Sequence, residues 1–219
     1  MLYATVKRVM DFFLALFLGT LFFPVSLLVT AAIKLESPTG SVLADIPARV
    51  GKDGRLFRLY KFRSMIPNAH QLIRTDPKFK KLFAEYKSNN YKLTDDPRWT
   101  KTGKFIRKYS LDEVPQFINV LSGEMSLIGP RPYFADELEE QQAKFPQTKK
   151  YVREALSVRP GISGQWQVSG RSEVNFDKRI EMDAAYAKKI NGPFWGALWY
   201  DLEILFKTPF AMLSGRGAV

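Results

Sequence analysis

The chain lacks cysteine altogether and has a single histidine among its 219 residues. Without cysteine there can be no disulfide, no thiolate nucleophile and no cysteine-ligated zinc site. The one histidine, His70, cannot build a histidine-rich metal centre, and no Ser-His-Asp grouping is evident near it, so we interpret it as a surface helix residue. Polar catalysis must therefore come from carboxylates, lysine, arginine, hydroxyls or a hard metal ion, which prefers oxygen ligands.

Acidic residues are scarce relative to basic ones. The chain has 33 Lys and Arg against 22 Asp and Glu, a formal net charge of +11. Such an excess indicates an anionic partner, which the charge alone leaves open between nucleic acid, a phosphorylated substrate and an acidic membrane face. The hydrophobic share of 46% is enough to bury the core of one domain that carries an appended segment.

A long apolar run covers residues 9–33 and follows the basic pair Lys7 and Arg8. As one helix of roughly 25 residues it would measure ~37 Å, more than the ~30 Å of bilayer hydrocarbon. Pro24 favours a kink, because it has no N–H for the carbonyl of Thr20. With basic residues on both flanks, a kinked helix that enters and leaves by the cytoplasmic face is as consistent with the residues as a straight span. A cleaved signal peptide is disfavoured, since its apolar core is only ~7 to 15 residues long.

Asp11 is the one acidic residue in this apolar run. It follows Arg8 by three positions, so the two side chains share a helix face. We expect a local ion pair at the depth of the lipid headgroups, without a catalytic role.

Residues 48–63 predict a β-hairpin. Asp53 and Gly54 supply the positive φ angles that a tight turn needs, and residues 55–63 alternate in polarity as a strand does. Near the end of this strand, Lys61 and Arg63 are two positions apart and therefore lie on one face. They could grip a phosphate, or they could form an ordinary solvated strand end.

The sequence predicts several helices after the hairpin. Asp76 and Pro77 are a typical helix start, and residues 101–108 predict a short basic helix. A charged helix is predicted over residues 171–189. The aromatic tail, residues 193–210, is typical of a helix at the water–lipid boundary, with packing inside the core as the alternative.

Asp112 and Glu113 are the strongest candidate for chemistry. Acidic residues in a first helical turn can simply offset the helix dipole, and Ser110 with Glu113 fits a capping box. Pro115 argues against that capping frame and favours Asp112 as the N-cap residue. A Mg²⁺ ion held by carboxylates and substrate phosphates would let such a pair accept a phosphate, and one carboxylate could attack phosphorus while the other holds the metal.

Four segments then point to a known family. They are residues 61–65 (KFRSM), 110–116 (SLDEVPQ), 125–132 (MSLIGPRP) and 159–171 (RPGISGQWQVSGR). In this order, after one apolar segment, they resemble the bacterial sugar transferase family, the monotopic polyprenol-phosphate phosphoglycosyl transferases. The resemblance covers nearly the whole chain. It departs from the family pattern at Phe23, where serine is common, and in residues 41–49, which lack an aromatic residue and a glutamine often present there.

The resemblance implies an α+β, mostly helical fold. Residues 1–34 would be a re-entrant membrane helix broken near Pro24, and residues 35–219 a catalytic domain with a small β-hairpin and C-terminal interfacial helices. The implied location is the cytoplasmic face of the bacterial inner membrane. Partners would be the bilayer, a UDP-sugar and polyprenol (undecaprenyl) phosphate, with no nucleic acid, and a homodimer is left open beside a monomer.

The implied reaction moves a sugar 1-phosphate, of the hexose type, from the UDP-sugar to the lipid, with Mg²⁺ and release of UMP. Asp112 would be the nucleophile that forms a covalent phosphosugar intermediate, and Glu113, together with Asp112, would hold the metal. Candidates for binding the phosphates and uridine are the following: Lys61, Arg63, Arg107, Arg131, Arg159 and Arg171. Two alternatives remain, a membrane-tethered basic binding or scaffold protein and a metal-dependent glycosyltransferase that releases UDP.

Overall fold

The computed structural model describes residues 2–89, 93, 95–169 and 174–213. In that part the chain is mostly helical, with two small two-stranded sheets, which confirms the predicted α+β composition. The helices are α1 (Leu2–Leu21), α2 (Phe23–Glu36), α3 (Ala69–Thr75), α4 (Lys80–Ser88), α5 (Lys101–Lys108), α6 (Gln116–Ser122), α7 (Ala135–Lys144), α8 (Lys149–Ala155), α9 (Gln165–Ser169), α10 (Phe176–Ile190) and α11 (Phe194–Leu213). The strands are β1 (Arg49–Val50), β2 (Leu56–Phe57), β3 (Ser126–Ile128) and β4 (Gly161–Ser163).

The apolar run folds as two helices, α1 and α2, that meet at Phe22 with a bend of 56°. Pro24 lies in the first turn of α2 and cannot donate to the carbonyl of Thr20, which accounts for the break. Taken singly, none of the helices described is long and apolar enough to cross a membrane, whereas the bent pair passes that test of length and composition as a unit.

Asp11 does not pair with Arg8, contrary to the sequence prediction. It is 5% exposed, lies 3.7 Å from the Lys7 ammonium, and accepts hydrogen bonds from the Ser126 hydroxyl and the Leu127 N–H. Arg8 instead donates to main-chain carbonyls at the end of α6. α1 packs on α6, β3 and α11, so Asp11 and Arg8 have hydrogen-bond partners within the protein.

The predicted hairpin is present but shorter than expected. β1 pairs antiparallel with β2, and the turn has the predicted positive φ angles, 56° at Asp53 and 76° at Gly54. The predicted strand over residues 55–63 is not continuous, because β2 ends at Phe57 and Phe62 forms an isolated antiparallel bridge with Leu43 instead. After Phe57 the side-chain amide of Asn119 replaces a strand partner for the backbone. It accepts from the Tyr60 N–H at 2.9 Å and donates to the Arg58 carbonyl at 2.7 Å.

The helical predictions differ mainly at their ends. α5 has the predicted bounds, and Asp76 caps a 3-10 turn, Pro77–Phe79, that leads into α4. The charged helix is α10, which begins at Phe176 rather than at 171, and residues 170–173 are outside the described part.

Packing inside the core is confirmed for one face of α11, whereas the placement of the helix at a water–lipid boundary stays a prediction. Ala197 and Ile204 are fully buried in the core, whereas the aromatic side chains on the other face are about two-thirds or more exposed. These exposed residues are Trp195, Trp199, Phe206 and Phe210. The helix therefore packs on the domain and leaves an aromatic surface outside.

The parallel pair β3–β4 fixes the loop that carries Arg131. Ser126 pairs with Gly161 and Ile128 with Ser163. Gly129 follows at a very close backbone approach, where a Cβ would lie 2.5 Å from the Arg159 carbonyl oxygen. Only glycine fits at this position. The loop after β3 leaves the sheet toward the acidic pair.

Candidate active site

Asp112 and Glu113 lie in a 3-10 turn, Leu111–Glu113, that precedes α6. Ser110 enters the turn with φ 54° and makes no capping bond through its side chain. The prediction of Asp112 as the N-cap of the helix is wrong, because Pro115, with φ −61°, occupies that position. Proline needs no partner for a missing N–H, so α6 starts there and leaves the acidic pair on the turn before it.

Lys61 lies between the two carboxylates. Its Nζ is 2.7 Å from Asp112 Oδ2 and 3.3 Å from Glu113 Oε1. The main chain supports this arrangement, since the Phe62 N–H donates to the Asp112 carbonyl at 2.8 Å. Asp112 is 2% exposed, whereas the Glu113 side chain is 31% exposed, so the two adjacent acids sit in different surroundings.

A polar cavity of about 460 Å³ opens on one side of this group. Seven cationic side chains line it against three acidic ones, Asp45, Asp96 and Glu113. The cationic residues are Arg49, Arg58, Lys61, Arg63, Arg98, Arg107 and Arg131. Such a balance favours an anionic ligand, with arginines suited to phosphate oxygens.

An apolar cavity of about 550 Å³ opens on the other side. Asp112 lines this cavity, and Lys61, Glu113, Arg107 and Arg131 line both. Its apolar walls come from α1 and the bend after it, the start of α6 and the turn before it, β4 and α11. The residues are Leu18, Phe22, Val114, Phe117, Ile162, Leu205, Pro209 and Met212. The acidic pair therefore lies where a basic chamber and an apolar chamber meet.

Two of the predicted arginines reach this junction. The Arg107 guanidinium lies 5.2 Å from the ring centre of Trp99, and that of Arg131 lies 5.8 Å from the ring centre of Trp166. Cation–π contacts of this kind hold the planar groups in place while leaving their N–H donors directed elsewhere.

Two other predicted arginines, Arg63 and Arg159, are placed differently. Arg63 lines the polar cavity but donates two hydrogen bonds of 2.9 Å to Ser37, where α2 ends. Arg159 donates to the Gly123 carbonyl at 2.8 Å and lines neither cavity. Arg171 lies outside the described residues.

His70 lies on a helix, α3, as predicted, but it is less exposed than a surface residue. It is partly buried, lines the polar cavity and stacks on Phe134 with ring centres 5.3 Å apart. Burial, with the nearby positive charges of Arg74 and Arg49, lowers the pKa of His70 to about 4. The imidazole is therefore neutral at physiological pH.

Arg49 is a cavity residue that the sequence interpretation missed. Its guanidinium lies 3.3 Å from the ring centre of Phe134 and donates to the Pro132 carbonyl. Burial and the charge of Arg131 lower the pKa of Arg49 to about 10. The available signal was an arginine inside an apolar strand, since burying that charge requires partners.

Asp183, from α10, supports the loop of Arg131 from behind. It is 1% exposed, and its Oδ2 accepts from the Tyr133 hydroxyl at 2.9 Å and from the Arg131 N–H at 3.4 Å. Burial raises the pKa of Asp183 to about 7, although these two hydrogen bonds oppose the rise. The carboxyl thus titrates near neutral pH.

We expect Asp183→Asn to flatten the pH dependence of stability. A carboxyl whose pKa is higher in the folded state stabilises the fold most at low pH, and that contribution is lost as the pH rises from about 4 through 7. The difference amounts to at most about 4 kcal/mol in the free energy of unfolding. Unfolding measured at pH 5 and pH 8 should show a smaller difference for the variant, and equal pH slopes for both proteins would contradict the assignment.

The family model described as Bacterial sugar transferase matches residues 2–215. The undecaprenyl-phosphate galactose phosphotransferase of Salmonella typhimurium is 45% identical over 174 residues, which is 78% of this chain and 33% of that protein. The UDP-galactose-lipid carrier transferase of Erwinia amylovora is 41% identical over 216 residues, or 97% of this chain and 41% of that protein. The exopolysaccharide production protein ExoY of Rhizobium meliloti is 38% identical over 218 residues, covering 97% of this chain and 87% of ExoY. The chain thus spans less than half the length of the first two relatives and most of the third.

Proposed function

Because this chain belongs to the bacterial sugar transferase family, we propose that it transfers a sugar 1-phosphate from a UDP-sugar to polyprenol phosphate. The observation that carries the proposal is the position of the acidic pair between a basic cavity and an apolar one. One substrate of this reaction is water-soluble and strongly anionic, and the other is a lipid with a phosphate at its end. The two chambers match these two chemistries.

In this proposal the UDP-sugar occupies the polar cavity and the polyprenol chain the apolar one. Lys61, Arg107 and Arg131 border both chambers, so they can contact the phosphate of either substrate. Phe22, at the bend between α1 and α2, lines the apolar cavity, which supports a helix break beside the bound lipid chain.

The first step is attack by a carboxylate oxygen of Asp112 on the phosphorus that carries the sugar. A bond forms between that oxygen and phosphorus, and the bond from phosphorus to the bridging oxygen breaks, with UMP leaving with the electron pair. Lys61, 2.7 Å from Asp112, counters the negative charge of the nucleophile and then that of the phosphate.

In the second step an oxygen of polyprenol phosphate attacks the same phosphorus. The bond between phosphorus and Asp112 breaks, the free carboxylate returns, and the product is a polyprenyl diphosphosugar. Asp112 is 2% exposed and lines the apolar cavity, so a filled cavity keeps water away from the intermediate and disfavours its hydrolysis.

The acidic pair fits a magnesium ion. A cationic group, the Lys61 ammonium, already lies 2.7 and 3.3 Å from carboxylate oxygens of both acids, so the pair converges on a cation. Mg²⁺ in such sites uses one or two carboxylates, with water and substrate phosphates as its other ligands. Glu113 would hold it, with Asp112 as a second oxygen ligand, and the ion would neutralise phosphate charge in the transition state.

The α1–α2 pair is proposed as a re-entrant anchor in the inner membrane, with the catalytic domain on the cytoplasmic face. The 56° bend and the exposed apolar side chains of both helices support this. Since the chain has no cysteine, Leu2→Cys and Leu35→Cys can each be labelled alone in sealed vesicles. Access from opposite sides would rule out the re-entrant arrangement.

The sugar is proposed to be a hexose, with galactose and glucose as the first to test, and the reaction to begin glycoconjugate assembly at the membrane. Two relatives carry names that refer to galactose, and one carries a name that refers to exopolysaccharide production.

The deciding experiment incubates the full-length chain with UDP-galactose or UDP-glucose and Mg²⁺ in the absence of any lipid acceptor. We expect up to one equivalent of UMP and an added mass of one phosphosugar on the intact protein. Release of UDP would identify a glycosyltransferase without the covalent intermediate. Release of no nucleotide, together with binding that weakens steeply with salt, would favour a basic binding protein.

A further inference from the structure

One face of α5 carries three exposed lysines around an exposed phenylalanine. At about 100° per residue, Lys101, Lys104, Phe105 and Lys108 fall on the same side of the helix. All four are exposed, Phe105 to 58%, whereas Gly103 and Ile106 on the other side are buried. We call these four residues the lysine face.

The lysine face carries an excess of positive charge. The Lys104 ammonium lies 3.5 Å from Asp95, an exposed carboxylate. Glu36 lies at the start of the helix and accepts the Lys101 N–H, so three lysines stand against two carboxylates at this face. The ring of Phe105 packs on that of Tyr109 with centres 5.1 Å apart, so an apolar pair lies among the charges.

α5 is fixed to the second half of the proposed membrane anchor. The Glu36 carboxylate, at the end of α2, accepts the N–H groups of Lys101 and Thr102 at 2.7 and 2.8 Å. Ile106 packs in one cluster with Val29 and Ile33 of α2. These contacts hold the lysine face beside α2.

The surroundings of the lysine face are those of a lipid boundary. On α2, Leu28 and Leu35 are 72% and 83% exposed, and they continue the apolar surface of the helix pair. At the other end of α5, Tyr109 and Ser110 line the apolar cavity. The lysines therefore lie between an apolar outer surface and the cavity proposed for the polyprenol chain.

We propose that the lysine face binds the anionic phosphate headgroups of the bilayer beside the apolar cavity. The inference rests on the proposed membrane function. Each lysine at an anionic membrane surface raises the affinity for that surface about fivefold. An aromatic ring favours the water–lipid boundary, at the same depth. The exposed Phe105 ring, which packs on the partly buried Tyr109, favours a lipid over free phosphate, because an ion in water offers nothing to cover that ring. Polyprenol phosphate carries the same headgroup chemistry, so this surface would also hold it next to the cavity.

The test places the full-length chain in phosphatidylcholine vesicles that contain trace spin-labelled phosphatidylglycerol or phosphatidylcholine. The ratio of the two association constants measures selectivity for the anionic headgroup. We expect the unmodified chain to prefer phosphatidylglycerol, and the combined variant Lys101→Gln, Lys104→Gln and Lys108→Gln to reduce that preference by about fivefold or more. The preference should also fall with added salt, since exposed charges are screened.

The matched control removes three other exposed lysines, with Lys144→Gln, Lys149→Gln and Lys150→Gln. The helix that carries the last two, α8, packs on α10 rather than on α1 or α2. This control should keep the selectivity of the unmodified chain. In detergent, both combined variants should release UMP from the UDP-sugar as the unmodified chain does, which shows that they fold.

The two proposals fail in different ways. A chain that sediments with vesicles and transfers phosphosugar, but does not select phosphatidylglycerol or loses its selectivity equally in both combined variants, overturns the headgroup proposal alone. A chain that does not associate with vesicles overturns the membrane function and the headgroup proposal with it.

Discussion

Asp112→Asn should lower phosphosugar transfer by about 10⁴-fold or more and abolish the covalent adduct. An amide cannot supply the oxygen nucleophile, yet it has nearly the shape of the carboxylate, so the packing around this buried position is kept. Lys61 keeps Glu113 as a partner at 3.3 Å. The measurement is UMP release with intact mass, compared with the unmodified chain at equal Mg²⁺ concentration.

Glu113→Gln separates the nucleophile from the metal ligand. Because Asp112 remains, we expect this variant to form the adduct slowly and to recover part of its rate as Mg²⁺ is raised. Asp112→Asn should not recover at any Mg²⁺ concentration. A phosphosugar adduct on Asp112→Asn, or transfer that survives the substitution, would exclude the proposed mechanism.

The sequence was most informative where neighbouring residues decide the structure. The helix over residues 101–108, the turn at Asp53 and Gly54, and the break before Pro24 all depend on local backbone rules. The acidic pair was also identified as a candidate from local sequence, as adjacent carboxylates at a predicted helix start. Its N-cap assignment was wrong, because the residue that starts α6 is Pro115.

The sequence was least informative where a partner far away in the chain determines the local structure. Asn119 ends the second strand by satisfying the backbone of Arg58 and Tyr60, about 60 positions away in the chain. Asp11 accepts a hydrogen bond from Ser126 instead of pairing with Arg8, and His70 stacks on Phe134. No periodicity within a segment encodes such pairs.

The roles of the basic side chains in the candidate site also depend on partners that are distant in the chain. A motif places an arginine near the chemistry, but its donors can be taken by structural acceptors, as the Gly123 carbonyl takes Arg159. Arg49 shows the reverse, since no motif marked it and packing on Phe134 brings it into the cavity. The division between binding and structural arginines is set by the tertiary fold.

Asp201→Leu should destabilise the fold by about 3 to 5 kcal/mol in the free energy of unfolding. Asp201 is 6% exposed and lies 2.7 Å from the Lys7 ammonium, and it accepts the hydroxyls of Tyr3 and Tyr186. Without it, the Lys7 ammonium, whose side chain is 13% exposed, keeps one carboxylate partner among the described residues, Asp11 at 3.7 Å. Thermal and denaturant unfolding in detergent measure the loss.

The double variant Lys7→Met, Asp201→Leu shows whether the buried charge pair is the cause. It removes both charges, so we expect it to be more stable than Asp201→Leu alone, with a coupling of about 2 kcal/mol or more. Additive effects would contradict the pairing. Lys7 lies on the same helix as Leu18, and Leu18 lines the apolar cavity. Loosening α1 by either substitution should therefore raise the KM for polyprenol phosphate and leave the KM for the UDP-sugar unchanged. An equal rise in both would mean that the Lys7–Asp201 pair supports the whole domain rather than the lipid side of the site.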